Sequence, residues 1–155
     1  MNSILFYLVF SLLVCIVKYY DSKKRIIKLI PLLRSLGVNV DDTNLPLIKF
    51  YYGNHEIYGK HVMQIWITGL SFFIRLKYPS RGLVRHQFEI DGKEYRITVF
   101  QDRLEISQRM GSFFWGWQPI PLETQEDVKF FLNLLCDAAD QWDKKQEFAG
   151  AQNDK

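Results

Sequence analysis

The chain has 155 residues, room for one domain and a short appendage. Hydrophobic residues make up 48% and aromatic residues 15%, too apolar for a disordered chain; twelve Phe, eight Tyr and four Trp require a thick aromatic core, an aromatic surface, or both. The net charge of +3 is unevenly divided: residues 18–36 carry six basic and one acidic side chain (+5), residues 37–122 ten and eight (+2), and residues 123–155 four and eight (−4). The basic excess thus sits beside the most apolar segment instead of over the domain, which argues against nucleic-acid binding.

Ile4 to Val17 is uncharged and interrupted only by Ser11. No Lys or Arg precedes it and no small-x-small site follows it, so it reads as an uncleaved anchor and not as a cleavable signal. Lys18 can snorkel, and Tyr19 and Tyr20 suit an interfacial belt. From Ser3 to Tyr20 a helix is roughly 27 Å long at 1.5 Å per residue, near the hydrocarbon thickness. Residues 1–20 are therefore expected to be a membrane anchor. The flanking positive charge lies C-terminal to it, which puts the following domain in the cytoplasm.

Residues 21–44 are expected to hold a basic juxtamembrane helix and a linker. Ile26, Leu29, Ile30, Leu33 and Leu36 share one helical face, Lys24 and Lys28 the other, Pro31 predicts a kink, and Gly37 predicts the stop. Lys18, Tyr19, Tyr20, Lys23, Lys24, Arg25 and Lys28 form the expected membrane-surface set, each basic side chain contributing about 1 kcal/mol near an anionic leaflet. Packing of the apolar face on the domain is the equal alternative.

Residues 45–147 read as a soluble α+β domain, an antiparallel β meander of about five to seven strands closed by a C-terminal helix. Asp91-Gly92 between alternating runs predicts a two-residue hairpin with Phe88 facing Tyr95, His86 facing Ile97 and Val84 facing Val99. His86 then falls on the apolar face, as a hydrogen-bonded core histidine. Phe72, Ile74, Leu76 and Tyr78 alternate with Phe73, Arg75 and Lys77. Val62 to Thr68 predicts a strand ending at a Gly69-Leu70 turn, and Leu104, Ile106 and Met110 predict another; Leu45–Tyr52 and Phe114–Gln118 are weaker candidates. Thr124 with Asp127 resembles a capping box, and Val128, Phe131, Leu132, Leu135, Ala138, Ala139 and Trp142 form the stripe of the last helix. Lys144 and Lys145 mark its expected end, with residues 148–155 a disordered tail. In element order this domain resembles the pleckstrin-homology superfold over residues 45–145, with Trp142 placed like that fold's helix tryptophan.

Catalytic and metal signatures are missing. His55-Glu56 is followed by His61 six residues after His55, not four, and glycines interrupt the stretch, so Gly53–His61 reads as a polar loop. The cysteines, Cys15 and Cys136, lie far apart in sequence, which fits a reducing compartment. The densest unusual feature is Gly111-Ser112-Phe113-Phe114-Trp115-Gly116-Trp117. Phe113, Phe114, Trp115 and Trp117 are too apolar for an ordinary solvated loop and are the predicted partner-binding residues, unless they complete the core. Arg75, Lys77, Arg81 and Arg85 would add a basic surface to the polar side of the sheet. These features predict a non-enzymatic, single-pass membrane protein, bacterial in style, that binds another protein as an immunity protein, an exclusion factor or an accessory of a membrane complex. The alternative is a lipid-headgroup-binding domain tethered to the cytoplasmic membrane. No cofactor, metal or nucleic acid is expected, and lipids are met through the N-terminal helix and its basic flank.

Overall fold

The computed structural model describes residues 3–63, 68–110 and 116–153. The anchor and the basic segment are one continuous helix, α1 (Ser3–Ser35), long and apolar enough near the N-terminus to cross a membrane. Large side chains from Ile4 to Tyr20 are exposed along it, whereas Ser22, Ile26, Leu29, Ile30 and Leu33 are buried. The apolar stripe of the basic segment is therefore committed to the domain, and Lys24, Arg25 and Lys28 remain on the outer side. Pro31 does not divide the helix. It lies exposed, as does Ile27, so the Ile27 carbonyl that Pro31 cannot serve is on the solvent side. Gly37, at φ 77°, ends α1 as expected. Val38 N–H donates to the Leu33 carbonyl at 3.2 Å and Gly37 N–H to that of Arg34 at 3.0 Å, a Schellman closure.

An eight-stranded antiparallel sheet follows: β1 (Val40–Asp41), β2 (Ile48–Tyr52), β3 (His55–Met63), β4 (Thr68–Arg75), β5 (Val84–Ile90), β6 (Lys93–Phe100), β7 (Arg103–Arg109) and β8 (Trp117–Pro119). The order β1-β2-β3-β4-β7-β6-β5 corrects the expected single meander. Two antiparallel runs are joined through β4 and β7, and β5 forms the far edge; β8 pairs with the second half of β7. The β5–β6 hairpin has the predicted register, Phe88 on Tyr95, His86 on Ile97 and Val84 on Val99. Its turn residues Asp91 (φ 51°) and Gly92 (φ 72°) adopt the left-handed conformations a primed turn needs. The Gly53–His61 stretch is not a loop. Gly53-Asn54 is a turn, with Tyr52 opposite His55, and β3 begins at His55. Gly69-Leu70 is likewise inside β4 and not a turn.

The C-terminal helix α2 (Gln125–Asn153) runs past the Lys144-Lys145 end read from the sequence. Its capping box is formed: Thr124 N–H donates to Asp127 Oδ2 at 3.0 Å, and Asp127 N–H donates to Thr124 Oγ1 at 3.1 Å. Val128, Phe131, Leu132, Leu135, Ala138 and Ala139 are buried, and Trp142 Nε1–H donates to the Tyr78 carbonyl at 2.9 Å. Both helices lie on one side of the sheet. The α1 and α2 stripes meet Ile48, Phe50, Ile57, Phe72, Ile74, Leu104, Ile106 and Val99 in a single core. Gly59 completes this layer: a Cβ there would lie 2.6 Å from the Phe72 ring and 2.8 Å from Ile48, so those side chains occupy its place. The core reaches β5 only through Phe88 and Ile90, which pack half-buried against it. His86 is exposed at this edge, stacked on Phe88 with centroids 6.2 Å apart, and is not the core histidine the alternation predicts.

Candidate functional site

Strand alternation sends every second side chain to the side of the sheet opposite the helices. Paired registers place Lys49, Tyr58, Phe73, Glu105, Thr98 and Arg85 in one row across six strands. Flanking positions add Glu56, Lys60, Arg75, Arg103, Phe100 and Arg96. No described helix or strand covers this face. Among the described residues it is an open surface of interleaved cations and aromatic rings.

The rings and cations order one another. Tyr58 and Phe73, directly paired, stack nearly parallel with centroids 5.1 Å apart. Lys60 lies 5.0 Å from the Phe73 centroid, Arg75 5.3 Å from that of Tyr58, and Arg103 5.2 Å from that of Phe100. Such contacts are each worth about 0.5–1 kcal/mol at exposed sites and hold long side chains in place. The two carboxylates are engaged. Glu56 accepts from Lys49, from Tyr58 Oη at 2.5 Å and from Tyr51 Oη at 3.0 Å. Lys49 and Tyr58 together hold its carboxyl down to about 2, and Glu56 in turn raises both partners. Glu105 lies 3.7 Å from both Lys60 and Arg103. Arg75 and Arg103 are direct cross-strand partners, a like-charge pairing that costs stability unless neighbours or a ligand compensate it. Among the described residues no carboxylate lies within 4.0 Å of Arg75, Arg85 or Arg96.

Of the predicted partner-binding residues, Phe113, Phe114 and Trp115 lie outside the described residues. Met110 N–H donates to the Gly116 carbonyl at 3.0 Å, which fixes the two ends flanking that stretch. Trp117 opens β8 and is half-buried, with the Arg96 guanidinium 4.6 Å from its ring centroid. Trp117 thus belongs to the margin of the cationic face. Arg96 Nε is buried without a hydrogen-bond partner, and burial, with Arg85 nearby, lowers its pKa. Of the predicted basic surface, Arg75 and Arg85 join the face, whereas Lys77 turns to the Tyr78 ring at 5.0 Å and Arg81 lies in the β4–β5 connection. Lys49, Tyr58, Lys60, Arg96, Phe100 and Arg103 are not among the residues predicted for a site. Their signal was the polar phase of each strand, legible only once the registers are known.

The residues predicted to meet the membrane surface all lie on α1. Lys24, Arg25 and Lys28 are exposed, Lys18 and Lys23 are partly covered, and Arg25 pairs with Asp21 at 2.8 Å. Tyr19 and Tyr20 are exposed, edge to face, with centroids 5.8 Å apart. A separate concavity of about 640 Å³ lies between the β5–β6 turn and the start of α2, lined by apolar groups including Tyr95, Ile120 and Phe130 and by Asp91, Lys93, Glu123, Glu126 and Asp127. Cys136 is half-buried, its thiol pushed up to about 11 by burial, which leaves it a poor nucleophile at neutral pH. Among the described residues no group of three or more His, Cys, Asp or Glu is placed to hold a metal ion. No protein family, no characterised protein and no solved structure matches the chain.

Proposed function

We propose that the chain is a non-enzymatic, membrane-anchored protein-binding module that docks its partner on the open face of the sheet. The observation that carries this reading is the face itself: one side of a six-strand row left uncovered, with cations pinned over aromatic rings. Aromatic and Arg side chains are favoured at binding hot spots, and groups already ordered lose little entropy on binding. The exposed apolar half of α1 supports single-pass anchoring, and the Lys18–Arg34 excess supports a cytoplasmic domain. An immunity protein, an exclusion factor or an accessory of a bacterial membrane complex fits this arrangement. Lipid-headgroup binding has the basic flank in its favour, but a pleckstrin-like element order alone supplies no headgroup site.

The test has two parts. Alkaline carbonate extraction should leave the full chain in the membrane pellet. Chemical cross-linking in native membranes should give a protein adduct that disappears with Arg75→Glu plus Arg103→Glu. Release of the chain by carbonate would overturn the anchor, and an adduct indifferent to both substitutions would overturn the docking face.

A further inference from the structure

The chain's own geometry says which way the docking face looks and what charge it receives. Ser22, Ile26, Leu29, Ile30 and Leu33 bury one stripe of α1. At 1.5 Å per residue that stripe runs for about 16 Å, so α1 lies flat along the layer formed with α2 and the inner side of the sheet. A helix touching only by its end would bury one turn. The exposed, apolar half continues the same rod without a linker, and Ser22 is buried only two residues after Tyr20. Membrane helices tilt by about 20° on average. With the first half of α1 in the bilayer, the layer of which α1 is part stands steeply on the membrane, and its outer face looks along the membrane plane.

That face is also unbalanced in charge. In the same strand phase Lys49, Lys60, Arg75, Arg85, Arg96, Arg103 and Arg109 stand against Asp41, Glu56, Glu89, Glu94 and Glu105, with Arg109 paired to Glu94 at 2.8 Å, so the excess of cations lies around Lys60, Arg75, Arg85, Arg96 and Arg103. In the middle of the face the carboxylates lie deeper than the cations they pair with: Glu56 and Glu105 side chains are 23% and 21% exposed, against 42% for Lys49 and 38% for Arg103. The middle of the face, where Arg75 and Arg103 are opposed across β4 and β7, therefore presents cations outward. Guanidinium forks held over rings match carboxylates in a planar, two-bond geometry. Lipid phosphates lie in a plane that this sideways face does not meet; Lys18, Lys23, Lys24, Arg25 and Lys28 on α1 are the cations nearest that plane.

We propose, building on the protein-binding reading above, that the sheet face receives an acidic segment of a neighbouring protein at the membrane, approached sideways. The full-length chain in phosphatidylcholine nanodiscs, titrated with a fluorescent alternating Glu–Tyr peptide and with its Gln–Tyr counterpart, tests this. The acidic peptide should bind at least about ten-fold more tightly, and rising salt should erase the difference. Arg75→Glu with Arg103→Glu should remove the preference while the melting temperature holds; Lys24→Gln with Lys28→Gln should leave it intact. Replacing part of the phosphatidylcholine with phosphatidylserine should not displace the peptide. Displacement by phosphatidylserine would overturn the sideways placement. Equal binding of both peptides, or binding of neither, would overturn the acidic partner. Neither result touches the docking-module reading, which stands or falls on the cross-linking in native membranes.

Discussion

Gly59→Ala adds one methyl group at the centre of the core layer. The new Cβ would sit 2.6 Å and 3.0 Å from two Phe72 ring atoms and 2.8 Å from Ile48 Cγ1. Neither neighbour has room to yield: Phe72 and Ile48 are 2% and 1% exposed, and the Phe72 ring is wedged between Phe50 and Phe131 at centroid distances of 6.2 and 5.7 Å. Overpacking of this kind costs about 1–3 kcal/mol. Elsewhere in a strand, losing a glycine's freedom would stabilise by roughly 0.5–1 kcal/mol, so even the sign is diagnostic. For a domain of this size 1 kcal/mol moves the midpoint by about 5 °C, within reach of circular-dichroism melting of the full chain in a mild detergent. Phe72→Leu removes the offending ring edge. The double variant should then be less destabilised than the sum of the singles, a coupling of about 0.5–3 kcal/mol. Unchanged or raised stability for Gly59→Ala, or strict additivity in the double variant, would refute this packing.

The two halves of α1 should behave differently on truncation. A chain starting at Asp21 should keep its fold, whereas one starting at Ser35 should lose it, because Ile26, Leu29, Ile30 and Leu33 each contribute about 1.5–3 kcal/mol of burial; proteolysis of the two products compares them. Glu56 is held at about 2, below its ordinary 4.5, so it adds stability above pH 4.5 that is lost as pH falls towards 2. With surface screening that amounts to about 1 kcal/mol, and Glu56→Gln should flatten acid unfolding in this window. Thr124→Ala should cost about 1 kcal/mol through the lost cap, read by urea unfolding. Trp117→Ala should cost the fold about 1 kcal/mol or less, its half-buried ring being stacked on Arg96, yet weaken partner binding by about 2 kcal/mol or more.

What could be read from the sequence followed the range of the interactions. Asp91-Gly92 and the Thr124–Asp127 box are local signals with one strong outcome each, and both formed in the expected register. The β2–β3 hairpin carried a similar signal, Gly53-Asn54, but its second strand was hidden. Beyond Ile57 the core-facing phase of β3 comes to Gly59, which contributes no side chain because Phe72 fills its space. The pairing of β4 with β7 joins residues some thirty positions apart, as in Phe73 with Glu105, and no local pattern reports it. The open face of the sheet depends on that pairing. Each strand supplies only one or a few of its residues, so Arg75 and Arg85 were visible as basic positions while the Tyr58–Phe73 stack and the opposed Arg75 and Arg103 were not. His86 misled for the converse reason: alternation gives a residue its side of the sheet but not how far the helices reach across it.

The central claim, docking on the open sheet face of a membrane-held domain, is tested most directly by photo-cross-linking in intact membranes. A photoreactive amino acid replaces Arg75, at the middle of the face, or Lys129, exposed on α2 on the opposite side of the sheet. Position 75 should yield a discrete protein adduct, and position 129 should yield none. An adduct from position 129 with nothing from position 75, or lipid as the sole adduct at position 75, would contradict it.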